Sequence, residues 1–474
     1  MFTNVRLPVH EKGDGDPMRK FALIFPVLWI LSCSNNRPPE APDTTDAVFD
    51  QMVARAQTRM AWPGRNVTWP EFSDEEKKAV LKKPICAVFE DHVFPPPNTD
   101  KDTAKRKGIT VGQLEDIDQS LRTDGLLVVR NGKIIYERYE KPYAGKANRD
   151  RLHPVWSAAK SFTTGILAAV SQLSQRKFKG EKIEDAVLTR AGKPVVLTTT
   201  MAELFEEEVL NADVRFKQIT VEQLLAMAPN LEWSERYNGK ITQSSIINML
   251  WLGGYADMSS YAAKQKIGAA GPGTKFNYSS GNALIAMRAL KKLYGKDYDR
   301  MPWKVLFDKI GMDKVVFEKD KSGVFVGSSY LYMSLRDMAK FGFLYLNGGY
   351  YNREQILDPA YLKGARQLSV GMLNGPEEDI EEEKGFYSLG FWINPSPAQV
   401  GKVKKLSPKF RITSFFPKVP NDVMFAAGHF GQSIVIYPKQ DLLLVRMGHD
   451  QEYWSKLDNM MGLAKECFAD GDKP

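Results

Sequence analysis

Gly125-Leu-Leu-Val-Val-Arg-Asn-Gly-Lys-Ile-Ile-Tyr-Glu-Arg-Tyr139 is two β-rich runs joined by Asn131-Gly132, and no other stretch restricts the fold of this chain so tightly. Asn-Gly between such runs specifies a two-residue hairpin turn, which forces the strands to be antiparallel. The next long apolar stretch, His153-Pro-Val-Trp-Ser-Ala-Ala-Lys-Ser-Phe-Thr-Thr-Gly-Ile-Leu-Ala-Ala-Val170, has helical character, with Pro154 suited to the entry. Strands that lead into a buried helix predict an α+β fold, an antiparallel sheet flanked by helices.

That helix also carries chemistry. Ser157 and Lys160 are three residues apart, so they share a face and the amine can reach the hydroxyl. Phe162, Ile166, Leu167, Ala169 and Val170 make the segment apolar enough to be packed inside, and a desolvated amine gives up its proton more readily than an exposed one. Ser157 is therefore the candidate nucleophile and Lys160 its activating neighbour. A chain of this length contains about two Ser-x-x-Lys matches by chance. The second, Ser174 to Lys177, sits in a polar stretch that reads as the frayed, solvated end of the same helix.

At 474 residues, with 43% hydrophobic and 26% charged residues, the chain has the composition of a globular protein with one large composite domain or two. A net charge of +8 from dispersed basic residues, with no zinc-finger or RNP-type pattern, gives no nucleic-acid footprint. Cys33, Cys86 and Cys467 form no CxxC pair, and nothing in the sequence decides whether Cys86 and Cys467 are joined. No HExxH or other zinc spacing occurs among five histidines, and no cofactor motif is present.

Met18 to Cys33 has a basic start, an apolar run from Phe21 to Leu31 and a small residue before a cysteine, the layout of an export signal. The apolar run is shorter than the roughly 20 residues of a permanent span. Ile30-Leu-Ser-Cys33 resembles a bacterial lipoprotein processing site, with Cys33 as the residue that would be lipidated and Leu31 as the departure from the pattern. The expected location is the cell envelope, on the periplasmic side, with a lipid anchor in the membrane. Ser34 to Asp46 reads as a flexible tether.

The expected organisation is a signal region over 1–33, a tether and N-terminal extension over 34–107, the first part of an α/β body over 108–178, an inserted, mostly helical subdomain over 179–321, and the second part of the body over 322–474. Thr220 is a candidate N-cap, and Trp233 and Tyr237 read as core or pocket-lining aromatics. Tyr278-Ser279-Ser280 falls on a short loop before another apolar helix, where the phenol can aim at Ser157. The glycines from Gly268 to Lys275 lack the Gly-Lys-Ser/Thr ending of a phosphate loop. Ser334 and Asp337 read as a capping box, Asn347-Gly-Gly as a stop, Pro376 to Lys384 as a solvated charge run, and Ser388 to Asn394 as a strand. Met424-Phe-Ala-Ala-Gly-His-Phe-Gly-Gln-Ser-Ile-Val-Ile-Tyr-Pro438 is β-rich with glycines that permit close backbone approach, and the Gln432 N–H can join that of Ser157 around an oxyanion. No GxSxG elbow exists, which excludes an α/β-hydrolase.

Ser157-Ala-Ala-Lys160, Tyr278-Ser-Ser280 and His429-Phe-Gly431, in this order, resemble the serine β-lactamase and penicillin-binding-protein superfamily, and within it the class C-related branch of family VIII carboxylesterases and 6-aminohexanoate-dimer hydrolases. The resemblance runs from about Gly125 to Met447 and implies an acyl-enzyme mechanism without a cofactor. Ser157 would attack an ester or small amide, Lys160 and Tyr278 would exchange its proton, and Gln432, Gly431, His429 and Ser280 would line the oxyanion and substrate site. Two departures bear on specificity. Tyr-Ser-Ser stands for the usual YxN, and His-Phe-Gly for Lys-Thr-Gly, which weakens the expectation of β-lactam recognition. The readings that follow are an exported esterase or amidase, a β-lactamase or D,D-peptidase, and a catalytically silent envelope binding protein.

Overall fold

A computed structural model describes residues 44–65, 68–95, 121–140, 149–205, 210–237, 241–374, 386–406, 416–450 and 454–469. All lie within one compact unit, Pro42–Pro474. The expected export signal with Cys33 and the charge run Pro376 to Lys384 fall outside them. The end of the expected tether is corrected, because Thr44 to Asp46 already belong to helix α1 (Thr44–Thr58).

Two further helices, α2 (Asp74–Leu81) and α3 (Pro84–Val93), precede the hairpin. Ser73 caps α2 in a reciprocal capping box with Glu76. Strands β1 (Thr123–Arg130) and β2 (Lys133–Tyr139) then pair antiparallel around Asn131 and Gly132, both at positive φ as the turn requires. After β3 (His153–Pro154), a 3₁₀ turn over Trp156–Ala158 feeds α4 (Ala159–Phe178). The Ser174 end of α4 is not frayed: Ser174 is fully buried and its hydroxyl accepts the Val195 N–H at 2.8 Å.

The middle of the chain is mostly helix and loop, including α5 (Ser245–Trp251) and α6 (Ser280–Tyr294), the latter capped by Ser279. Thr220 caps a short helix in a capping box with Gln223. Strands β4 (Val315–Phe317) and β5 (Leu331–Met333) form a small sheet with β3, in the order β3-β5-β4. Ser334 caps α7 (Leu335–Leu346), but the expected capping box is incomplete. The Asp337 carboxylate instead accepts the Lys314 N–H and the Lys340 ammonium.

The expected strand Ser388 to Asn394 is a tight hairpin of β6 (Phe386–Tyr387) and β7 (Trp392–Ile393). Gly390, at φ +73°, breaks the run, and a Cβ there would stand 2.1 Å from Thr164 Oγ1 on α4. Ser161 of α4 donates to the Gly390 carbonyl, so this hairpin is tied to the helix that carries Lys160. Strands β8 (Met424–Gly428), β9 (Gln432–Tyr437) and β10 (Leu442–Gly448) complete a seven-stranded sheet ordered β2-β1-β10-β9-β8-β7-β6, antiparallel at every pairing. The N-terminal hairpin thus lies beside strands from the end of the chain.

Residues of β9 and β10 alternate between two covered faces. Ile434 and Leu443 pack against Gly342 of α7, while Tyr437 points the other way and donates to the Met461 carbonyl of α8 (Trp454–Phe468). A disulfide between Cys86 and Cys467 joins α3 to α8 across 381 residues of sequence. It resolves the pairing that the sequence left open.

Candidate active site

Ser157 sits in the 3₁₀ turn at the start of α4, and Lys160 is the second residue of the helix proper. Lys160 is 3% exposed, and its Nζ donates to Ser157 Oγ at 3.1 Å and to Ser280 Oγ at 2.9 Å. A buried amine must have its donors satisfied, and the Ser328 carbonyl at 3.4 Å supplies a third acceptor. Three of the predicted residues, Ser157, Lys160 and Ser280, therefore meet through one nitrogen.

The fourth, Tyr278, presents its ring to the same amine, with Nζ 4.8 Å from the ring centroid. Trp392 stacks on that ring at 5.5 Å and Tyr387 meets it edge-on at 5.6 Å, so the β6–β7 hairpin fixes the phenol. A cation over a ring face is stabilised by the ring quadrupole.

Glu235 is the residue that sequence reasoning missed. Its carboxylate lies 3.9 Å from Lys160 Nζ and accepts the Ser280 hydroxyl at 2.5 Å, the Ser280 N–H at 3.0 Å and the Trp233 indole N–H at 2.6 Å. Ser280 is fully buried and bridges the two charges, accepting from the amine and donating to the carboxylate. Its place in the Tyr278-Ser279-Ser280 loop was the only pointer in the sequence. A lone Glu in a polar connection carries no spacing signal.

The β8–β9 turn closes the other side. Gly428 lies so near the turn before Ser157 that a Cβ on it would stand 2.1 Å from the Val155 carbonyl oxygen. His429 and Phe430 flank Trp156, with ring centroids 6.0 and 6.1 Å away. Trp156 and Phe430 both adopt left-handed backbone conformations, at φ +49° and +63°. For bulky side chains this costs about 1–3 kcal/mol each, and such strain concentrates at functional sites.

The turn is held from behind by Arg446, fully buried, whose Nη1 donates to the Gly431 carbonyl at 2.8 Å and whose Nε donates to Thr123 Oγ1 at 2.8 Å. Its remaining arm pairs with Asp450, whose own N–H donates to the Phe430 carbonyl at 3.1 Å. The Gln432 side chain is spent on strand β10, exchanging bonds with the Gly448 N–H and carbonyl, which leaves only its backbone for an oxyanion. Partial desolvation lowers the pKa of His429, favouring its neutral form.

Among the described residues no cluster of His, Cys, Asp or Glu is arranged to hold a metal ion, and no helix is long and apolar enough to cross a membrane.

A serine hydroxyl against a buried amine at a helix start, a tyrosine over that amine and an antiparallel sheet closing the cleft define the β-lactamase/transpeptidase-like fold. The sequence matches the beta-lactamase family over residues 87–458, and the chain belongs to that family, whose members are generally serine hydrolases. No curated protein matches. Similar solved structures include one assigned to a 6-aminohexanoate-dimer hydrolase from Bacillus anthracis, at 22% identity and TM-score 0.53, covering 75% of this chain and 81% of that one. EstCE1, a hydrolase with promiscuous acyltransferase activity, aligns at 14% identity and TM-score 0.46 over 73% of this chain and 96% of its own. A class C beta-lactamase aligns at 13% identity and TM-score 0.47 over 85% and 100%. At these identities the likeness concerns the fold.

Proposed function

We propose that the chain is an exported serine hydrolase that cleaves carboxylic esters or small amides through an acyl-enzyme on Ser157. The observation that carries the reading is the 3.1 Å contact between the buried Lys160 amine and Ser157 Oγ. In its neutral form the amine takes the hydroxyl proton while Oγ bonds to the substrate carbonyl carbon. The backbone N–H groups of Ser157 and Gln432 hold the resulting oxyanion. Collapse breaks the bond to the alcohol or amine, which leaves with the proton returned by Lys160 or passed through Tyr278. Water then attacks the acyl carbon and releases the acid. Glu235 balances the charge that Lys160 acquires and, through Ser280, fixes the direction of its hydrogen bonds.

His429, whose pKa is lowered by partial desolvation, stands where the resemblance expects a lysine, and this supports ester or amide substrates over β-lactams and peptidoglycan peptides, which bear a carboxylate. The Cys86–Cys467 disulfide supports export, because such bonds persist in oxidising compartments. A lipid on Cys33 would tether the enzyme on the periplasmic side of the envelope.

A fluorophosphonate probe should label the protein, and Ser157→Ala should abolish the label. An unlabelled wild type would sink the hydrolase reading. p-Nitrophenyl esters should be turned over far faster than nitrocefin, and the reverse order would favour the β-lactamase alternative.

A further inference from the structure

The rings beside Ser157 continue outward instead of ending in the core. Trp156 meets His429 edge-on at 6.0 Å, and His429 stacks on Tyr237 at 5.7 Å with 27° between the planes. Tyr237 in turn stands edge-on to Trp251, at the end of α5, at 6.4 Å. Tyr237 and Trp251 are each 50% exposed, and His429 is exposed as well. Core aromatics lose their water, whereas these keep half of it while lying in one continuous row that starts at the residue before the nucleophile. The inner end is fixed by the left-handed backbone at Trp156 and Phe430.

We infer that this row binds an uncharged aryl group on one arm of the substrate, so that the esters or amides opened at Ser157 carry an aromatic ring. The inference rests on Ser157 being the nucleophile. Flat, partly solvated ring faces select another ring by quadrupole as well as by apolar area, an advantage of about 3- to 10-fold over a saturated ring of similar size. No carboxylate or permanent cation is part of the row, and partial desolvation by the neighbouring rings lowers the pKa of His429, so a charged arm finds no counter-charge within it.

The test compares kcat/KM of the full chain for two matched pairs: 2-phenylethyl against 2-cyclohexylethyl acetate, and ethyl 3-phenylpropanoate against ethyl 3-cyclohexylpropanoate. The pairs place the ring on the alcohol or the acyl side with leaving groups of similar acidity. We expect a phenyl preference of about 3- to 10-fold in at least one pair. It should fall toward 1 in Trp251→Leu and Tyr237→Leu, which keep an apolar side chain and remove the flat face. The ratio is internal to each variant, so partial loss of folded protein cancels. A wild-type ratio near 1 in both pairs, or a preference that survives both substitutions, overturns the inference. Fluorophosphonate labelling of Ser157 separates the two failures: labelling with no phenyl preference overturns only the aryl site, whereas neither labelling nor turnover overturns the hydrolase reading with it.

Discussion

Glu235→Gln is nearly isosteric and removes one charge from the site. The carboxylate oxygen that accepts both the Ser280 N–H and the Trp233 indole N–H can be replaced by the amide oxygen, so the loop stays anchored. The amide NH₂ then faces Ser280 Oγ, which at present donates at 2.5 Å and would have to accept. One charge-assisted hydrogen bond is lost, worth about 1.5–3 kcal/mol. If that bond orients the Lys160–Ser280 contact during proton transfer, kcat/KM falls about 10- to 150-fold. The pH profile adds a readout that misfolding would not move. A carboxylate 3.9 Å from Lys160 favours the ammonium, so its removal makes the amine lose its proton at lower pH. Where the neutral amine is the base, the acid limb of kcat/KM moves toward acid; where the ammonium assists a Tyr278 phenolate, the alkaline limb moves toward acid instead. Steady-state hydrolysis of p-nitrophenyl acetate from pH 5 to 10 reads both. A variant within about 3-fold of wild type, with neither limb displaced, would refute the role assigned to Glu235.

Gly428→Ala should cost more activity than stability, because its Cβ collides with the Val155 carbonyl and one of the two turns flanking Ser157 must shift. A drop in kcat of about 10²-fold with most of the denaturation midpoint retained is the expected result, and an unchanged kcat would contradict it. Replacing Cys86 and Cys467 by Ser opens a 381-residue loop and should lower stability by about 2–5 kcal/mol, measured by urea unfolding against the oxidised wild type. Burial lowers the pKa of His92, His153 and His429, so below the ordinary value of 6.5 the unfolded chain binds more protons than the folded one. Stability is therefore present above that value and is lost as pH falls through it. The urea midpoint should drop between pH 7.5 and 5.5, and a flat midpoint would contradict the assignment.

The parts of this fold legible in the sequence are those set by local chemistry. Asn131-Gly132 encodes a backbone that few other dipeptides adopt, and Thr220 and Ser334 each cap the helix that follows them. Ser388 to Asn394 misled because its aromatic and β-branched residues favour a strand, while the Gly390 turn packs against α4, more than 200 residues earlier. The disulfide was illegible for the same reason, since pairing depends on where α3 and α8 meet.

The site divides along the same line. Ser157 and Lys160 announce themselves because one helix turn sets their distance, and Tyr278 and Ser280 follow from their place at the entry to α6. Glu235 and Arg446 act only through tertiary contact, the first on an amine 75 positions away in sequence and the second on the turn after β8. Both are charges in places where an unpaired charge would be strongly destabilising. Each is retained together with its full set of partners: Ser280 and Trp233 for the carboxylate, Gly431, Thr123 and Asp450 for the guanidinium. A buried ion pair is often no more stabilising than a well-packed apolar replacement, so stability alone does not account for two such networks bracketing Ser157. What they share is that each fixes the orientation of a polar group, the Ser280 hydroxyl that shares the Lys160 amine with Ser157 and the Gly431 peptide in the turn after β8, which is what the acyl-transfer site proposed for this chain requires.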